Sequence, residues 1–218
     1  MSGERIGVVL VDANVLFRTG LRALLERDGI AILAEAPSVS SGVRLVERLR
    51  PDVAVVDPDA PATPVADARE TIRRIKQAAP STHVLALAAA RSRQDAVDIV
   101  CMGCSCFLLK EAPPETILAA VRAAAAGESL IAPRVAAALV RRLRASGTGE
   151  LPQPRSVLSD REQEVLRLIA AGKENDAIAA ELFISRHTVK NHISSILLKL
   201  EVTNRVQAAV VAVRAAMV

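Results

Sequence analysis

The chain has no uninterrupted apolar stretch of about 18 residues, the length that a membrane-crossing helix needs. Only the short run VVLV follows Glu4, too brief for a secretory leader, so a cytoplasmic protein without membrane association is expected. Cysteine is scarce. Cys101, Cys104 and Cys106 fall together in CMGCSC, an odd count that gives no disulfide framework and one ligand fewer than a tetrahedral zinc site wants. An excess of either charge is missing too: 28 Lys and Arg stand against 24 Asp and Glu, a net +4, so any nucleic-acid-binding surface must be local. Apolar residues are plentiful, at 51% of 218 residues, which supports a buried core and argues against disorder.

From residue 5 to about 126, short apolar runs alternate with helical patterns. IGVVLVD, IAILAEA, DVAVVD, HVLALA and CFLLK read as strands; VLFRTGLRALLERD, SGVRLVERLR, ADARETIRRIKQAA, QDAVDIVCMG and PETILAAVRAAAAG read as helices between and after them. Five such strands predict an α/β fold, a doubly wound parallel sheet covered by helices on both faces. After Gly127 the rhythm changes. Residues 133–144 continue a helical pattern, ASGTGELPQPRS reads as a linker, and only helices follow. Ser159 and Glu162 form a capping box, Gly172 closes that helix, Ser185 caps a third helix running to about Leu200, and Thr203 or Asn204 opens a fourth.

In RHTVKNHISSILLKL, the residues Val189, Ile193, Ile196 and Leu200 form one apolar stripe, leaving Arg186, His187, Lys190, Asn191, Ser194 and Ser195 on the polar face. No Asp or Glu occurs from Leu182 to Leu200. An acid-free face bearing amides, hydroxyls and cations suits phosphate contact and base-edge reading, although a solvated helix face has the same look. A short helix, a tight turn and a longer capped helix make a helix-turn-helix. The stretch LSDREQEVLRLIAAGKENDAIAAELFISRHTVKNHISSILLKLEVTNRVQAAV resembles the LuxR-type DNA-binding domain. The resemblance implies a third helix in the major groove of double-stranded DNA, with Lys190, Asn191 and Ser194 nearest the bases. It places Thr188, His192 and Arg205 on the phosphate backbone and gives the fourth helix a dimer contact. Leu198 departs from the family, which carries a basic residue there.

In a doubly wound sheet, ligands bind beyond the carboxyl ends of the strands. Those ends are Asp12, Asp57, Ala88 and Lys110, so acid and cation converge at one edge. With the second domain, this resembles a response-regulator receiver of the NarL/FixJ kind. The resemblance implies Asp57 as phosphoacceptor, Lys110 as the pocket lysine and Asp12 as the first of two Mg²⁺-binding acids. The second acid is Ala13, and the hydroxyl expected at the fourth strand is Ala88. Phosphoryl transfer to a carboxylate relies on Mg²⁺ held octahedrally by oxygen, so both losses are costly. Pro58 also deletes an N–H beside the acceptor.

The expectation is therefore a non-enzymatic transcription regulator with an atypical receiver over residues 1–128, a partly helical linker over 129–154 and a LuxR-type domain over 155–218. No cofactor is expected, Mg²⁺ being poorly served by Asp12 and Asp57, and control without aspartyl phosphorylation is anticipated in a homodimer or a heterodimer with a related regulator. The alternatives are a conventional regulator phosphorylated on Asp57 and, more remotely, a phosphatase of the haloacid-dehalogenase kind using Asp57 and Asp59 with Lys110. The latter lacks a later strand with paired acids. A redox or metal role for the cysteines yields to their packing as small apolar side chains, and His83, at a strand start, reads as structural. The face around PETILAAVRAAAAG is a candidate partner surface as well as an ordinary helix packed through Ile117, Leu118 and Val121.

Overall fold

Period-two alternation decides which face of the sheet each strand residue takes. The computed structural model describes residues 5–58, 68–89, 99–100, 103–130, 157–215 and 217. Strands β1 (Gly7–Val11), β2 (Ala31–Ala36), β3 (Val53–Val56), β4 (His83–Ala88) and β5 (Cys106–Leu109) form one parallel sheet in the order β2-β1-β3-β4-β5. Val9, Val11, Ala54, Val56, Val84 and Ala86 point to one side, packing with Val46 of α2 (Val39–Leu49) and with Ile72 and Ile75 of α3 (Ala68–Ala78). Val8, Leu10, Val53, Val55, Leu85 and Leu87 point to the other, against Leu21 and Leu25 of α1 (Val15–Arg27) and Ile117 and Val121 of α4 (Pro114–Ala125). Burial on both faces explains why the central strands are apolar without interruption. Glycine matters at one crossing: a Cβ on Gly42 of α2 would stand 2.6 Å from Val11 Cγ2, so only glycine lets that helix approach β1.

The C-terminal unit is all helix: α5 (Asp160–Ala170), α6 (Asn175–Leu182), α7 (Arg186–Lys199) and α8 (Arg205–Arg214). The caps fall where the side chains can supply them. Ser159 and Glu162 form the reciprocal box, Ser185 accepts from Thr188 N, and Asn204 accepts from Gln207 N. Val189, Ile193, Ile196 and Leu200 are all buried, joining Leu166, Ile169 and Ile178 in a separate core. The expected linker from residue 131 onward, the helix over 133–144 included, Asp59 and Cys101 lie outside the described residues, as does most of QDAVDIVCMG. Among the described residues, no helix is long and apolar enough to cross a membrane.

Candidate functional site

The ends of β1, β3 and β5 bring Asp12, Asp57 and Lys110 together. Lys110 Nζ stands 2.7 Å from Asp12 Oδ2 and 2.7 Å from Asp57 Oδ2, bridging two carboxylates that are 4% and 9% exposed. The ammonium also lies 4.6 Å from the centroid of the Phe17 ring. Burial alone would lower the Lys110 pKa; the hydrogen bonds to Asp12 and Asp57 outweigh it and hold the group above its ordinary value. The other oxygen of Asp12 accepts from Asn14 N at 2.7 Å, and Arg18 Nη1 donates to Asp12 O. These contacts fix the Asp12 carboxylate toward the lysine. Ala88 ends β4 fully buried, and Lys110 N donates to its carbonyl at 2.8 Å. Pro58 is buried directly after Asp57.

A Mg²⁺ ion at this edge would meet two described carboxylates, Asp12 and Asp57. The ion takes near-octahedral oxygen ligation, and among the described residues no three carboxylate, His or Cys side chains gather anywhere to hold a metal. Each acid at the sheet edge directs one oxygen, Oδ2, at the same ammonium. Ala13 presents a methyl group where a further oxygen would be needed.

The second assembly is the polar face of α7. His187, Asn191 and Ser194 are exposed, and Thr188 Oγ1 pairs with Ser185 Oγ at 2.8 Å. Lys190 is turned toward the receiver, its Nζ donating to Ala125 O at 2.6 Å at the end of α4. Arg186 reaches Asp176 at 3.3 Å and Glu128 at 3.8 Å. Arg205, at the start of α8, donates to Asn175 Oδ1 at 2.8 Å and to Lys173 O, with a pKa lowered by burial. His192 is half-buried, and Leu198 is 80% exposed.

Sequence reasoning missed the residues that tie the two units together. Asn175 Nδ2 donates to Ala126 O at 2.6 Å, and Asn204 Nδ2 donates to Val100 O at 2.5 Å and to Cys104 O at 3.4 Å. Both side chains are buried. Asn204 looked like a helix cap, which it is; nothing in its neighbours signals the second task. Ser195 corrects the polar-face assignment: its hydroxyl donates to Glu162 Oε1, inward rather than toward DNA. Lys199 Nζ adds two bonds to the same carboxylate, at 2.7 and 2.9 Å. Burial pushes Glu162 up, but Lys199 and Ser195 outweigh it and hold the group down at about 2. Its stabilisation is therefore complete above the ordinary carboxyl range and is lost as pH falls from about 4.5 toward 2. Replacing Glu162 by Gln is expected to destabilise the helix-turn-helix by about 2–3 kcal/mol in urea melts at neutral pH, with the deficit shrinking below pH 4.

Cys104 and Cys106 behave as packing residues. Cys104 and Cys106 are fully buried, and burial pushes each thiol up to about 12.

A receiver-like sheet with an acid-lysine edge, followed by a helix-turn-helix, defines a two-domain DNA-binding regulator. Residues 8–122 match the response regulator receiver domain, and residues 156–212 match the bacterial regulatory proteins of the luxR family. The chain is 38% identical over 210 residues to the transcriptional regulatory protein LiaR of Bacillus subtilis, covering 96% of this chain and 97% of LiaR. It is 31% identical over 208 residues to the nitrate/nitrite response regulator protein NarL of Escherichia coli K12, covering 95% and 94%. Among solved structures, the response regulator ChrA of a heme-sensing two-component system aligns over 98% of this chain and 99% of its own, at 33% identity and a TM-score of 0.51. The chain belongs to the NarL/LuxR family of DNA-binding response regulators.

Proposed function

We propose that the protein is a sequence-specific transcription regulator whose receiver works without the usual aspartyl phosphorylation cycle. One observation carries this: Lys110 already bridges Asp12 and Asp57 at 2.7 Å, in a pocket where Ala13 and Ala88 supply neither a third acid nor a hydroxyl. The receiver then serves as a folded docking and dimerisation module, spanning residues 1–128 and joined through 129–154 to the DNA-binding unit from 155. Mg²⁺ is not a resident cofactor in this reading, and the phosphatase alternative has no acidic cluster to support it among the described residues. The working site is the cytoplasmic chromosome, and the active species is a dimer, of two copies or with a related regulator. Incubation with acetyl phosphate and Mg²⁺, followed by intact-mass measurement, is expected to leave the chain unmodified. Stoichiometric modification that disappears in Asp57→Asn would instead establish the conventional cycle, for which Asp57 and Lys110 are in place.

Contact with DNA falls to α7 and the start of α8, with Lys190, Asn191 and Ser194 reading base edges and Arg186, His187, Thr188, His192 and Arg205 serving the backbone and flanks. In the described arrangement Lys190 bonds to Ala125 of the receiver, so in this reading its use at DNA requires the helix-turn-helix to leave the receiver. Asn191→Ala is the clean test, because Asn191 is exposed and Lys190 has a second task. It should cost about 1–3 kcal/mol at a cognate site, in binding isotherms whose affinity falls steeply with salt.

A further inference from the structure

Among the described hydrogen bonds across the seam between the two units, the helix-turn-helix supplies every donor and the receiver every acceptor. Part of this row of acceptors is the end of α4. Gly127, in a left-handed backbone (φ 76°), closes that helix: its N donates to Ala124 O at 2.8 Å, and Glu128 N donates to Ala123 O at 2.9 Å. The next two carbonyls, at the negative end of the helix dipole, are met from the other unit. Lys190 Nζ donates to Ala125 O at 2.6 Å, and Asn175 Nδ2 donates to Ala126 O at 2.6 Å. The Glu128 side chain continues the row. Its Oε1 accepts from Asn175 N at 3.4 Å and lies 3.8 Å from Arg186 Nη2. Burial lowers the Arg205 pKa and the Glu128 charge opposes that shift, so the carboxylate acts on this guanidinium too. Asn175 N is the first amide of α6, and Glu174 before it makes no side-chain cap. The positive end of α6 thus receives a carboxylate from the receiver. Asp176, the acid of that first turn, is paired with Arg186 at 3.3 Å.

We propose that the amino-terminal end of α6, with Arg186 beside it, binds a phosphate of the DNA backbone, and that Glu128 is the receiver's stand-in for that phosphate. The DNA backbone offers oxygen acceptors and no donors, as the Ala125–Glu128 turn does, and helix N-termini are regular phosphate partners in protein–DNA interfaces. In a helix-turn-helix the first helix crosses the backbone while the second enters the groove, which brings the start of α6 to the phosphates. Release carries the Glu128 carboxylate away with the receiver. Asn175 N and Arg186 stay with the helix-turn-helix, and a phosphate oxygen takes the vacated place. The inference rests on DNA contact through α7 and is independent of the phosphorylation reading.

Backbone amide NMR of the intact chain, titrated with a mixed-sequence DNA duplex in dilute buffer, tests it, because phosphate contacts dominate binding at non-specific sites. In wild type the Asn175 amide should shift saturably, and the Glu128 amide should shift with it as the stand-in is displaced. In Glu128→Gln, which keeps the shape of the side chain and loses its charge, the Asn175 shift should saturate at about fivefold lower duplex concentration. The Asn191 amide of α7 is followed in the same spectra. If Asn191 moves and Asn175 does not, the phosphate site on α6 is overturned while DNA contact through α7 stands; if neither moves, both fall. Equal saturation in wild type and Glu128→Gln overturns the stand-in. Should the variant misfold, the wild-type titration decides: Asn175 saturated with Glu128 unmoved means that carboxylate and phosphate do not compete, and the proposal fails.

Discussion

A chain carrying both Ala13→Asp and Ala88→Thr should accept phosphate on Asp57 from acetyl phosphate and Mg²⁺ on the order of a hundredfold faster than wild type. The reason lies in charge. Phosphoryl transfer spreads negative charge over three equatorial oxygens, and these must be met by a divalent ion and by hydrogen-bond donors already in place. At the wild-type edge, Asp12 and Asp57 share one monovalent cation, Lys110, at 2.7 Å from each. An aspartate at position 13 adds a carboxylate that the lysine does not neutralise, making a divalent ion competitive. A threonine at 88, the last residue of β4, adds the missing hydroxyl beside Lys110, whose N–H bonds to that residue's carbonyl. Intact mass against time checks the gain, and Asp57→Asn in the same background should abolish it. The single changes should each recover only part of the rate, because ion and hydroxyl act on the same transition state.

The second large effect concerns release of the recognition helix. Replacing Asn175 and Asn204 by Ser should raise affinity for duplex DNA at low salt on the order of ten- to thirtyfold. Each asparagine donates from a buried side chain to receiver carbonyls, Ala126 O in one case and Val100 O and Cys104 O in the other. Removing those donors leaves buried carbonyls unpaired only in the docked form, so the equilibrium moves toward the released one. Serine keeps a hydroxyl to cap α8 in place of Asn204, so the fourth helix itself should persist. Fluorescence anisotropy with a labelled duplex measures the change. If affinity stays constant while hydrogen exchange shows the seam loosened, docking does not limit DNA binding.

The sheet and its two faces were legible in the sequence because alternation along a strand is a local signal: Val8 and Val9 already declare opposite sides. The same holds for α7, where Val189, Ile193, Ile196 and Leu200 recur at helical spacing and are all buried. The strand-end rule located Asp12, Asp57, Ala88 and Lys110 at one edge, and the parallel order of the strands is what brings them together. What could not be read was which partner each polar side chain selects. Ser195 is adjacent to Ser194 on the helix surface, yet one turns to Glu162, 33 residues earlier, and the other is exposed. Asn204 caps its own helix with its oxygen and holds the receiver, 104 residues away at Val100, with its nitrogen. Lys190 looked like a base reader and is docked on Ala125. These choices depend on the placement of one unit against the other, which no periodicity encodes.

The central claim is that a lysine ammonium serves as the resident cation of the sheet-edge pocket and keeps a divalent ion out. Its most direct test is a Mg²⁺ titration of the intact chain, followed through the backbone amide signals of Asp12, Asn14 and Lys110. The account predicts no saturable shift in wild type at concentrations that saturate the Ala13→Asp variant. Saturable Mg²⁺ binding by the wild-type pocket over the same range would contradict it.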